Sequence, residues 1–159
     1  MSNLNIVEGL VRIGILARRN NINTGIICIG RIAKQLNILL GNLGVPDNKI
    51  IIDPTTGGIG YGLEYTYSVI ERDRMAALTQ EDVKLQYPII CNLANEVWKT
   101  RETRLKKDEE PKLGDEKRRS ILMEAVTAMT LLIAGADIIV MRHPEGIFLV
   151  KEMIHELMV

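Results

Sequence analysis

The feature that most constrains this chain is a set of four short, uninterrupted apolar runs, each followed by a stretch with helical spacing. The runs are Gly25-Ile26-Ile27-Cys28-Ile29, Lys49-Ile50-Ile51-Ile52-Asp53, Pro88-Ile89-Ile90-Cys91-Asn92 and Ala136-Asp137-Ile138-Ile139-Val140-Met141. A strand with one face in water alternates apolar and polar residues, whereas a strand covered on both faces does not. Strands of the second kind, separated by helices, form parallel βαβ units, so the expected fold class is α/β with four parallel βα units. Helices are expected over Ile32 to Leu43 with Gly44 as a stop, after Gly62 to about Leu78, over Leu93 to about Arg104, over Glu116 to Ala134 and over Pro144 to Met158. One more is expected over residues 4–20. The polar segment 106–115, with Pro111 and Gly114, reads as a surface loop inside a single α/β domain spanning 1–159, and Asp115 is placed to cap the next helix. Two architectures satisfy this pattern: an open doubly wound sheet, or half of an eight-stranded β/α barrel, which when whole takes about 250 residues.

Composition narrows the function classes. Twenty basic and twenty acidic side chains cancel, and no basic stripe with interleaved aromatics appears, which argues against nucleic acid as a partner. No apolar stretch approaches the ~20 residues of a membrane-spanning helix, and Met1-Ser2-Asn3-Leu4-Asn5 has no signal-peptide character, so a cytoplasmic chain is expected. Cys28 and Cys91 each sit in an apolar run and read as buried small hydrophobes. Two cysteines cannot supply the four thiolates an iron–sulfur cluster usually takes.

In either architecture ligands gather at the carboxyl ends of the strands. Four polar clusters fall there: Gly30-Arg31, the Asp53–Gly62 loop, Asn92 to Glu96, and Arg142-His143-Pro144-Glu145. The loop Asp53-Pro54-Thr55-Thr56-Gly57-Gly58-Ile59-Gly60-Tyr61-Gly62 combines glycines, which permit close backbone approach, with a helix N-terminus behind it. It is neither a P-loop nor a Gly-x-Gly-x-x-Gly fingerprint, and its plain reading is a strand-capping turn. His143 has no partner at ligand spacing for a metal, and Arg142 and His143 read as hydrogen-bonding groups at the sheet top. Trp98 reads as packing between helix and sheet, and His155 as a surface residue. No nucleophile elbow, Ser-His-Asp set or zinc spacing is present.

The block Asp53-Pro54-Thr55-Thr56-Gly57, continuing through Gly60-Tyr61-Gly62-Leu63-Glu64-Tyr65-Thr66-Tyr67-Ser68-Val69-Ile70-Glu71-Arg72, resembles the delta subunit of the acetyl-CoA decarbonylase/synthase complex, the small subunit of the corrinoid/iron–sulfur protein. Ala33 to Leu40, Glu96-Val97-Trp98-Lys99 and Met141-Arg142-His143-Pro144-Glu145 match in the same order. The resemblance implies the C-terminal half of a TIM (β/α)8 barrel, from a subunit about twice this length. It implies a non-catalytic segment that helps carry a methyl group between a methylated-pterin methyltransferase and acetyl-CoA synthase. The corrinoid (cobalamin) would lie at the interface with a large corrinoid/iron–sulfur subunit that holds the cluster. The methyltransferase and acetyl-CoA synthase would be transient partners. The residues expected to face the corrinoid are Asp53, Thr55, Thr56, Gly57, Asn92, Arg142 and His143, with no catalytic residue and no metal ligand. Exposed strand edges lead to an expectation of self-association or a partner. Two rivals stand beside this reading: a barrel methyltransferase whose Asp53 and Asn92 hydrogen-bond a pterin, and an assembly element with no ligand of its own.

Overall fold

The structure, a computed structural model, describes residues 24–27 and 32–158. Cys28, the Gly30-Arg31 cluster and the helix expected over 4–20 lie outside the described residues. The elements are β1 (Thr24–Ile27), α1 (Ile32–Asn42), β2 (Ile50–Asp53), α2 (Leu63–Thr79), β3 (Ile90–Asn92), α3 (Arg101–Arg104), α4 (Glu116–Ala134), β4 (Ile138–Val140) and α5 (Pro144–Leu157). All four expected strands are present; β1 begins one residue earlier than expected, β2 and β3 begin later, and β4 is shorter at both ends.

Pairing is parallel throughout. β1 runs beside β2 with Thr24 opposite Ile50, and β3 beside β4 with Ile90 opposite Ile138. A parallel bridge between Ile52 and Ile89, with the Ile52 N–H donating to the Pro88 carbonyl at 2.8 Å, lays the second pair against the first. Successive side chains on a strand point to opposite faces. Ile50, Ile52, Ile89 and Cys91 are buried on one of them, none more than 2% exposed, beneath a layer that includes Ile70, Ala128 and Leu131. Their neighbours on the other face are less covered, and on β4 Ile138 and Val140 remain 39% and 37% exposed. The continuous apolar runs led to strands buried on both faces; β2 and β3 instead have one dry face and one partly open, and β4 is half-buried on one face and exposed on the other. The thiol of Cys91 sits on the dry face, and burial first, then the charges of Asp53 and Asp137, push its pKa up to about 12. It is an inert core residue.

Helix limits follow local chemistry. The Asp115 side chain accepts the Arg118 N–H at 2.8 Å and so caps α4 as expected. At its other end α4 stops on Gly135, whose φ of 115° few side chains tolerate. A Cβ there would meet Arg74 Cγ at 2.7 Å. Arg74 donates from Nε to the Gly135 carbonyl at 2.8 Å and pairs with Asp137, whose Oδ2 accepts the Ile89 N–H at 2.7 Å. One arginine of α2 thus ties the end of α4 to the start of β3. The loop 106–115 is largely exposed, with one 3-10 turn at Pro111–Leu113. Arg119 holds it by donating to the carbonyls of Leu105, Leu113 and Gly114.

The single helix expected over Leu93 to Arg104 is broken into a 3-10 turn at Val97–Lys99 and the four-residue α3. Thr100 has extended backbone between them, and the hydroxyls of Thr100 and Thr103 donate to the Val97 carbonyl at 2.8 and 3.2 Å. Threonine hydroxyls offer backbone carbonyls an alternative to helical partners.

Asp73, in α2, is 4% exposed, and its Oδ2 has no partner. Burial lifts its pKa from 3.8 to about 6, against a lowering by Arg74. The folded chain therefore holds this proton more tightly than the unfolded chain. The stability so gained is complete below about pH 4 and lost as pH rises through 6. Denaturation followed from pH 4 to 7 is expected to show stability falling across that window. Asp73→Asn should remove that part of the slope and raise stability at pH 7 by about 1–3 kcal/mol. An unchanged slope in the variant would contradict this account.

Candidate functional site at the carboxyl ends of the strands

Parallel pairing brings the carboxyl ends of β2, β3 and β4 to one end of the strands. Asp53, the last residue of β2, starts the glycine loop: its Oδ1 accepts the Thr55 N–H at 2.9 Å. This closes an Asx-type turn, the local hydrogen bond aspartate makes with the backbone two residues on. Burial raises the Asp53 pKa, opposed by that bond. Thr55 carries a φ of 60°, an unusual place for a β-branched residue and a local store of strain. Its carbonyl accepts the hydroxyl of Thr66, from α2, at 3.1 Å. Thr56 is 5% exposed, and its hydroxyl donates to the Asn92 carbonyl at 2.6 Å, joining the loop to the end of β3. Ile59 plugs the loop into the core.

A cleft of about 210 Å³ opens between these two strand ends, lined by Asp53, Thr55, Thr56 and Gly57 on one side and Asn92, Asn95 and Glu96 on the other. Five of the residues picked out by sequence therefore meet in one place. Within this loop the left-handed backbone falls on Thr55 and not on Gly57, where an added Cβ would meet nothing closer than Thr55 Oγ1 at 3.7 Å. The Thr56 hydroxyl is occupied inside the fold.

Arg142 and His143 are not among the residues lining that cleft; they form a second cluster at the end of β4. The Arg142 guanidinium carbon lies 4.9 Å from the centre of the Trp98 ring, and the His143 ring stacks on the same indole at 6.0 Å with a 20° tilt. His143 Nδ1 accepts the Glu145 N–H at 3.2 Å, so the imidazole caps α5. The backbone N–H groups of Arg142 and His143 donate to Glu124 Oε1 and Oε2 at 2.6 and 3.1 Å. Glu124 is fully buried in α4. A buried carboxylate is tolerated when charge-favouring donors surround it, and here it also faces the start of α5, where the helix dipole is positive. The signal for Glu124 was available: it is the one charged residue between Ser120 and Ala136. His155 is exposed, and Trp98 packs against the core as expected while also serving as the platform for its two neighbours. Among the described residues no group of three His, Cys, Asp or Glu is placed to hold a metal ion.

Thr56→Val leaves the Asn92 carbonyl short of a donor, so the variant should lose roughly 1–3 kcal/mol of stability in chemical denaturation. No loss would mean that the bond has no weight. Thr55→Gly removes the Cβ strain at positive φ and should hold or raise the melting temperature; a fall of several degrees would show that Thr55 is held without strain.

Residues 19–156 match the family model for the CO dehydrogenase/acetyl-CoA synthase delta subunit. The chain is 38% identical over 126 residues to the acetyl-CoA decarbonylase/synthase complex subunit delta of Methanosarcina mazei, covering 76% of this chain and 28% of that protein. It is 34% identical over 128 residues to the subunit delta of Archaeoglobus fulgidus, covering 78% and 28%. With the subunit delta of Methanothermobacter thermautotrophicus the figures are 40% over 120 residues, 76% and 30%. The matched stretch spans under a third of these relatives, which are well over twice the length of this chain, so the expected doubling was too small. With most of its length inside the family model and its glycine loop, Trp98 and Arg142-His143 within the matched stretch, the chain belongs to the CO dehydrogenase/acetyl-CoA synthase delta subunit family.

Proposed function

We propose that this chain is a non-catalytic, corrinoid-facing segment of a methyl-carrying subunit in the reductive acetyl-CoA pathway. In this role it helps carry a methyl group between a methylated-pterin methyltransferase and acetyl-CoA synthase. The observation that carries the reading is membership of the delta-subunit family over residues 19–156. The relatives are subunits of an acetyl-CoA decarbonylase/synthase complex, which supports the choice of pathway. The proposed partners are a large corrinoid/iron–sulfur subunit, the methyltransferase and synthase as transient contacts, and a second copy of the chain. A cytoplasmic setting is part of the proposal; no helix among the described residues is long and apolar enough to cross a membrane.

The proposed architecture is a stretch of a (β/α)8 barrel. Its support is the partly open apolar face: a barrel fills its inner face with side chains from all its strands, whereas a doubly wound sheet has helices on both faces. The cleft suits a corrinoid only at its rim. At about 210 Å³ it is smaller than the ~300–1,000 Å³ pockets that enclose drug-sized ligands. Exposed Gly57 and Asn92, with the half-buried Thr55, fit the polar amide edge of such a group, and Arg142 and His143 lie at the end of the adjacent strand. The corrinoid, when bound, supplies the cobalt that carries the methyl group. This chain's residues position it, through hydrogen bonds of about 0.5–1.5 kcal/mol each.

The test is reconstitution with a corrinoid-loaded large subunit. Asn92→Ala and Gly57→Val should weaken assembly and slow methyl transfer by up to about tenfold, in keeping with the loss of one or two hydrogen bonds, while leaving the fold intact. Wild-type behaviour in both would remove the loop from the site. Methyl transfer from a methylated pterin to free cobalamin by the chain alone would replace the proposal with a pterin methyltransferase.

A further inference from the structure

Arg142 and His143 share a property: what their side chains leave free are donors. Among the described residues the Arg142 guanidinium has neither a carboxylate nor a hydrogen-bond partner, and its carbon lies 4.9 Å from the centre of the Trp98 ring. A guanidinium held over a ring face is restrained in position, and its planar fork of N–H donors can meet a carboxylate through two parallel hydrogen bonds. In His143 the acceptor nitrogen Nδ1 is already taken by the Glu145 N–H, so the neutral ring carries its proton on Nε2. The Trp98 Nε1 is buried and without a hydrogen-bond partner. The carboxylates nearby are not equal competitors. Glu124 is occupied by two backbone N–H groups and Glu96 pairs with Lys99 at 2.9 Å, while Glu145 stands exposed at the start of α5. Its negative charge disfavours a polyanion and leaves room for a single carboxylate.

Two residues hold this arrangement. Trp98 supplies the platform. Glu124 fixes the backbone of both donors, and it approaches closely because Gly146 has no side chain: a Cβ there would stand 3.3 Å from Glu124 Oε2. Neither residue was assigned to the site by sequence.

We propose that Arg142 and His143 form a single-carboxylate recognition site, with Trp98 and Glu124 as its positioning residues, which takes an acidic side chain of the partner subunit at this end of the strands. The proposal rests on the functional reading above for the partner, but the site itself can be read in the isolated chain. Trp98 is the sole tryptophan, so its fluorescence reports directly on the stacked pair. Acetate, titrated at constant ionic strength against a chloride control, should give a saturable change in the millimolar range, with inorganic phosphate binding more weakly. Arg142→Lys keeps the charge but loses the fork and the stack, and should weaken acetate binding about tenfold or more with the melting temperature unchanged. Glu124→Gln retains one acceptor, and should both shift the Trp98 emission and weaken acetate binding. If that variant does not fold, Arg142→Lys decides the matter.

A linear response to acetate, or binding equal in wild type and Arg142→Lys, overturns the proposal. So does phosphate binding tighter than acetate. Saturable acetate binding lost in Arg142→Lys, in a chain that never associates with a corrinoid-loaded subunit, would uphold this site and sink the functional reading instead. Normal assembly with no acetate response would do the reverse.

Discussion

Parallel pairing is the constraint on which the rest of this structure depends. A parallel pair cannot be closed by a tight turn; each strand must be followed by a crossover of a dozen or more residues before the next begins. That rule accounts for the length of α2 and α4, and it sends every paired strand in the same direction. Consequently the ends of β2, β3 and β4 stand side by side although Asp53, Asn92 and Val140 are far apart in the chain. The site is a product of topology before it is a product of residue type.

The same rule requires ties between segments that are distant in sequence, because parallel strands have no hairpin to fix them. Arg74 reaches across to Gly135 and Asp137, and Asp137 in turn accepts the Ile89 N–H. Thr56 bonds to the Asn92 carbonyl, and Glu124 gathers two N–H groups at the end of β4. The ties through Thr56 and Glu124 use a polar or charged group drawn into the interior, where an unmatched partner costs more than the bond itself contributes. Removing one side of such a pair is therefore more harmful than its small net energy suggests.

Much of this was legible from the residues. Continuous Ile/Val runs separated by helical periodicity are enough to predict parallel strands, and Asp115 marks the start of α4 by its own chemistry. The break at Thr100 was not legible, because threonine is only mildly unfavourable in a helix. What decides it is the Val97 carbonyl within reach of two hydroxyls. One-sided burial was not legible either: an apolar run reports that a face can be covered, not that it is. Ile138 and Val140 are β-branched apolar residues like Ile50 and Ile52, yet are 37–39% exposed where the others are nearly closed off.

The candidate site divides along a similar line. Sequence marks residues able to hydrogen-bond; only geometry separates those already committed from those still free. Asp53 Oδ1 is taken up by the Thr55 N–H and the Thr56 hydroxyl by the Asn92 carbonyl, so both act mainly as framework. The Asn92 side chain and the Arg142 guanidinium are exposed. His143 is divided between the two roles, one nitrogen capping α5 and the other left as a donor. A surface built this way, with fixed backbone beneath and uncommitted donors above, meets a partner with little further ordering, and reduced ordering is where pre-organised recognition gains its affinity. The strained backbone at Thr55 belongs to the same design: its φ of 60° is tolerable only because Asp53 on one side and Thr66 on the other hold the residue in place.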